Sequence, residues 1–201
     1  MQANEQPTIS ALKRKVSREY LLSIFLHSKS FLLLLLIFFF SEPVCIGQSK
    51  IAKVYQLEAA FLYNFTRFVN WTSANPSGET QFVIGIVGRD PFEGYIDEIV
   101  KGERVDGRSI VIRRYDDVSN IGNCSILFIG FSEAEKIRQA LKKVKKRGTL
   151  TVADSPNFVK RGGAVEFFIE ENKVRLKINV DAAKAEGLEI SSKLLNLAKI
   201  Y

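Results

Sequence analysis

The hydrophobic pattern divides the chain into segments of two periods. Residues 51–71 carry a helical period, with Ile51, Val54 and Tyr55, Glu58, Phe61 and Leu62, Phe65, and Phe68 and Val69 recurring at three- and four-residue steps. Residues 75–78, Asn-Pro-Ser-Gly, form a loop, and the unbroken apolar run QFVIGIV over 81–87 predicts a buried strand. A helix is expected over 92–100, with Asp90 as N-cap and Pro91 in the first turn. Residues 108–115 read as a strand showing Ile110 and Ile112 on one face, and 124–129 as another buried strand. Ser132 and Glu135 match a capping box for a helix over 133–146, and 149–153 follows as a strand. Residues 164–170 and 173–179 are strands joined by Glu171 and Asn172, a two-residue hairpin link. A short helix over 181–186 ends at Gly187. Ser191 or Ser192 caps a last helix carrying Leu194, Leu195, Leu197 and Ala198.

The predicted order is α-β-α-β-β-α-β-β-β-α-α. It implies one α/β domain over 48–201, with a mixed, mostly parallel sheet, helices on both faces and a C-terminal antiparallel hairpin. The first 47 residues have another character. The run FLLLLLIFFF over 31–40 follows basic residues and precedes Ser41, Glu42 and Pro43. A membrane-spanning helix needs about 20 apolar residues, whereas the core of a secretory signal needs about 7–15. Residues 1–47 therefore read as a cleaved signal peptide, with Cys45 and Gly47 at the −3 and −1 positions. Glu42, Pro43 and Val44 lack the Leu-x-small pattern that would make Cys45 a lipidation site.

Removing that segment changes the chemistry available. The chain has one histidine, His27, and two cysteines, Cys45 and Cys124. Only Cys124 lies beyond residue 47, so no internal disulfide is open to the remainder. Without histidine, Ser-His-Asp and Cys-His catalysis and most zinc sites are excluded there, and neither a catalytic residue, a metal nor a cofactor is assigned. The net charge of +7 falls to +5 beyond residue 47. Lys142, Lys143, Lys145, Lys146 and Arg147 form the densest basic cluster, late in a predicted helix, where cations suit the helix dipole. No reader motif accompanies them, and nucleic acid is not an expected partner.

Three strand-to-helix turns could gather at the carboxyl edge of the sheet. They supply Gly88, Arg89 and Asp90, then Ser132, then Asp154 and Ser155, as a candidate ligand site favouring anions. Asp116 and Asp117 read as turn formers. A second candidate is a partner-binding face on the first helix: Tyr63, Asn64, Arg67 and Trp71, a composition that binding hot spots favour.

Residues 55–71, YQLEAAFLYNFTRFVNW, resemble the opening motif of the YfiR family. Further similar segments follow in order at 82–88, 126–130, 150–154, 161–163 and 174–179. The tail INVDAAKAEGLEISSKLLNLAKI over 178–200 is the most specific. The resemblance implies a periplasmic α/β protein, often a homodimer, without catalytic activity. It implies a regulator that binds the periplasmic sensor part of a membrane-bound diguanylate cyclase and lowers cyclic-di-GMP, with an outer-membrane lipoprotein as a second partner. The family's best-understood member uses paired cysteines; with Cys124 alone, that device does not carry over. Other members serve other membrane sensors, so a histidine kinase is an alternative partner. The alternative function is a periplasmic binder of small anions or nucleotides that feeds a sensor kinase or a transporter. An exported hydrolase working with carboxylates alone is a third reading.

Overall fold

The computed structural model describes residues 46–71 and 80–201, with side chains from Lys50 onward. The export segment and the 75–78 loop lie outside the described residues, and residues Gln48–Tyr201 form one compact unit. Among the described residues, no helix is long and apolar enough to cross a membrane.

The first helix, α1, runs Ile46–Phe68 and feeds a short strand β1, Val69–Asn70. Then come β2 (Gln81–Gly88), α2 (Tyr95–Val100), β3 (Arg104–Val105), β4 (Arg108–Tyr115), β5 (Ile126–Gly130), α3 (Ala134–Val144) and β6 (Leu150–Ala153). The chain ends with β7 (Val165–Glu170), β8 (Lys173–Ile178), α4 (Val180–Ala185), β9 (Glu189–Ile190), α5 (Ser192–Leu195) and β10 (Ala198–Ile200). Eight strands form one sheet in the order β10-β8-β7-β6-β5-β2-β4-β3, and β1 pairs with β9 separately. The five strands β4-β2-β5-β6-β7 are parallel to their neighbours, while β3 and β8 pair antiparallel. This is the mixed, mostly parallel α/β sheet that the alternating pattern predicts.

The strands are apolar on both faces because both faces are covered. Phe82, Ile84 and Ile86 of β2, with Ile126 and Phe128 of β5, join a core with Leu62 and Phe65 of α1 and Ile96 of α2. The alternate residues Val83, Val87, Leu127 and Ile129 pack with Ile137, Ala140 and Val144 of α3. Cys124 is buried in this second core. The hairpin link has positive φ at both Glu171 and Asn172, as a two-residue turn between twisted strands requires.

Several boundaries depart from expectation. Helix α1 stops at Phe68, not at 71, because Val69 and Asn70 pair with Ile190 and Glu189 and Ser191 N–H donates to the Phe68 carbonyl. Helix α2 starts at Tyr95, after Gly94 in the left-handed region; Asp90 instead accepts from Phe92 N–H in a turn. The capping box does not form. Glu135 binds Arg138 and Gln139, and Glu133 takes the Ser132 N–H. Helix α3 ends at Val144, so Lys145, Lys146 and Arg147 lie beyond it, where Glu186 accepts from the N–H groups of Lys146, Arg147 and Gly148. Strands β1, β3, β9 and β10 are additional to the predicted set.

Candidate functional site

In a doubly wound sheet, ligands favour the carboxyl ends of the strands where the chain reverses its direction of winding. Here β2 is that strand: β4 joins one side through α2 and β5 lies on the other, with α2 and α3 on opposite faces. The crevice between β2 and β5 is nevertheless closed. Gly88 pairs with Gly130, and Arg89 N–H donates to the Gly130 carbonyl at 3.3 Å. A Cβ on Gly130 would sit 2.0 Å from the Arg89 carbonyl oxygen, and one on Gly88 would sit 2.7 Å from the Phe131 ring. Bare backbone at both positions lets the two strands stay zipped to their ends, with Phe131 laid across them.

The open corner is one strand pair further along. Strand β6 matches β7 only at Val152 with Val165 and Ala153 with Glu166, while β7 continues to Glu170. The overhang of β7 faces α1 across a cavity of about 320 Å³ lined by Tyr55, Glu58, Asp154, Phe167, Phe168 and Lys177, among others. A broader groove of about 990 Å³ lies along α1 and the β2–α2 connection and shares Tyr55; Arg89, Asp90 and Tyr95 line it.

The charged groups of the open corner are paired, with one exception. Arg89 Nη1 donates to the Tyr55 hydroxyl at 3.0 Å, and Nη2 forms an ion pair with Asp154. The guanidinium also lies 5.2 Å from the Tyr55 ring centroid. Glu166 is 1% exposed and accepts from Lys177 at 2.7 Å and from Val159 N–H at 3.3 Å. Glu58 is the exception. It is 3% exposed, and its Oε2 has no hydrogen-bond partner. Burial, and then the negative Asp154, push its carboxyl up to about 8, against the pull of Arg89.

The candidate ligand residues thus separate. Arg89 and Asp154, far apart in sequence, meet directly. Asp90 instead serves a second network, accepting from Arg114 Nε at 2.7 Å, while Arg114 binds both oxygens of Asp97 at 3.0 and 2.6 Å. Ser155 is buried and donates to the Phe131 carbonyl, which makes it structural. Ser132 is exposed, and Gly88 serves the closed crevice. Glu58 was missed as a site residue, although it occupies a position in the helical stripe of α1 where a charge needs an explanation.

The second candidate face also divides. The Tyr63 hydroxyl donates to Glu103 at 2.6 Å and accepts from Arg67 at 2.7 Å; Asn64 is half-buried beside them. Trp71 does not join this face. It is 6% exposed, lies perpendicular to Phe82 with ring centroids 5.1 Å apart, and donates to the Ser125 carbonyl at 3.2 Å. The helical spacing that would align it with Arg67 ends at Phe68. Among the described residues, no group of three His, Cys, Asp or Glu side chains could hold a metal ion.

Fold and site together define a doubly wound α/β domain with a cavity beside the β6–β7 strand pair. The chain belongs to the YfiR/HmsC-like family, which matches residues 55–199. That family is known for periplasmic regulators of cyclic-di-GMP signalling. No curated protein matches the chain. Among solved structures, a conserved domain protein from Vibrio cholerae O1 biovar El Tor is similar at 12% identity and a TM-score of 0.48. The match covers 73% of this chain and 59% of that one.

Proposed function

We propose that this protein is exported to the periplasm, where it binds the periplasmic sensor part of a membrane signalling enzyme, a diguanylate cyclase, and lowers cyclic-di-GMP. Family membership over residues 55–199 carries the reading. The lack of histidine beyond residue 47 supports binding over catalysis. In mechanism, the protein favours the inactive state of its partner by binding that state more tightly. Tyr63, Asn64 and Arg67 supply a candidate contact surface. Arg67 is exposed, and its guanidinium is already ordered by Tyr63, so less side-chain freedom is lost on binding. Self-association as a homodimer and capture by an outer-membrane lipoprotein belong to the same reading.

The test is deletion of the gene followed by measurement of cellular cyclic-di-GMP. A rise of several fold, reversed by the intact gene but not by one carrying Arg67→Glu, is the expected result. Unchanged cyclic-di-GMP across growth conditions overturns the cyclase reading.

A further inference from the structure

The orphaned carboxyl of Glu58, the adjacent Asp154 and the aromatic walls of the cavity beside β7 point to a binding site for a small organic ammonium ion. Three independent features converge there. The first is a vacant acceptor, since Glu58 Oε2 is buried and without a partner in a protein where buried polar atoms are normally paired. The second is the charge arrangement. The lysine of the cavity lining, Lys177, is spent on Glu166, and Arg89, which lies outside the lining, is bound to Asp154 and Tyr55. A ligand anion would meet Asp154, Glu166 and Glu58 with no unpaired cation to receive it. The third is shape and lining. About 320 Å³ holds a small amine with an apolar body, and Val54, Phe167 and Ile169 supply apolar lining beside Tyr55.

An ammonium group brings three N–H donors and a positive charge. It fills the vacancy on Glu58 and stays close to Asp154. Glu58 is held largely protonated at neutral pH by burial and by Asp154, with only Arg89 opposing. Tyr55 from its own helix, Asp154 after β6 and the Lys177–Glu166 pair from β8 and β7 are the other charged or titratable groups lining the cavity, and Arg89 from the β2 turn bonds Tyr55 and Asp154. Binding of a cation favours the carboxylate, so the Glu58 proton leaves to solvent as the amine enters. This inverts the anion preference expected of Arg89 from sequence. Amine binding does not require the regulatory role proposed above.

The test is calorimetry of the purified protein with 2-phenylethylamine, and with phenylacetate as the charge-reversed analogue. Saturable binding of the amine is expected, at least tenfold tighter than phenylacetate. Its affinity should rise about tenfold per pH unit from pH 6 to about 8, with release of up to one proton. Glu58→Gln should weaken the amine at least tenfold and flatten the pH profile. If that variant does not fold, Asp154→Asn serves: it weakens the amine and, by releasing Arg89, strengthens phenylacetate. Phenylacetate binding as tightly as the amine, no saturable amine binding, or an amine affinity indifferent to both substitutions overturns the site.

Discussion

Two arginines stand at the same edge of the parallel sheet and live in opposite circumstances. Arg114, near the end of β4, holds Asp90 and Asp97 in a network in which Arg114 and Asp97 are 43% exposed and Asp90 is 23% exposed. Both carboxylates of this network accept from Arg114. Arg89, at the end of β2, holds Asp154 and Tyr55 but leaves the buried Glu58 beside them unsatisfied. An exposed, closed network contributes little and stays as it is. A buried carboxyl without a partner costs several times as much, and such a cost is retained where a site needs it. Charge alone does not distinguish the two corners; desolvation does.

The largest expected effect attacks that difference at Glu58. Its carboxyl is held at about 8 against an ordinary value of 4.5. The folded state therefore keeps a proton that the unfolded state releases as pH rises past the ordinary value. The stability linked to this proton is fully present below the ordinary value and is lost as pH rises to about 8. The loss amounts to about 4 kcal/mol. Glu58→Gln should remove this slope, leaving the variant more stable than the parent at pH 9 and close to it at pH 5. Urea denaturation at the two values measures it. A parent curve as flat as the variant's would place Glu58 in water and erase the contrast between the corners.

Next in size is Gly130→Ala, which drives a Cβ into the Arg89 carbonyl at the zipped ends of β2 and β5. The strands must part, at a cost of about 3 kcal/mol in thermal or chemical unfolding. A neutral result would mean that the crevice between β2 and β5 opens freely, and the argument moving the site to β7 would fail. Lys177→Met then leaves Glu166 buried with only the Val159 N–H. Because Lys177 is about a third exposed, a loss of about 2 kcal/mol is expected, below the range for fully buried pairs. A cost under about 0.5 kcal/mol would show that the backbone N–H alone satisfies Glu166.

Much of this was legible in the sequence, for reasons specific to each element. The runs at β2 and β5 are apolar at successive positions, which fits strands covered on both faces, and α1 and α3 supply the covers. Asp154 and Arg89 were both legible as turn residues at one sheet edge. Their pairing was not, because nothing local links residues on separate strands. Strands β1, β9 and β10 span only two or three residues each, too few for a period to register, and they exist because tertiary partners meet them. Ser132 and Glu135 have the spacing of a capping box, yet Arg138 and Gln139 compete for Glu135 and win. The helical period aligns Trp71 with Arg67, but pairing with β9 ends the helix at Phe68 and turns Trp71 into the core. Glu58 stood in plain view in the stripe of α1. A charged residue on a buried helix face is the informative exception, and it marks the cavity more directly than the arginine does.

The smallest effect tests the other arm of the comparison. Arg114 hydrogen bonds hold the Asp97 carboxyl below its usual range, the larger influence there, against a modest opposing effect of burial. A depressed carboxylate contributes stability above its ordinary value and loses it as pH falls through the lowered one. Arg114→Met should therefore cost about 1 kcal/mol at pH 7, since these partners are two-fifths exposed or thereabouts and solvent screens them. The difference from the parent should shrink as pH drops below about 4, where the unpaired Asp97 of the variant takes up its proton, and vanish as pH falls through the lowered value in the parent. It should also shrink in 1 M salt, where the screening length is about 3 Å. Glu58→Gln should keep most of its effect in the same salt, because desolvation, not a long-range charge, dominates at Glu58. If salt removes both effects equally, the two corners are electrostatically alike, and the buried carboxyl loses its claim to be a site.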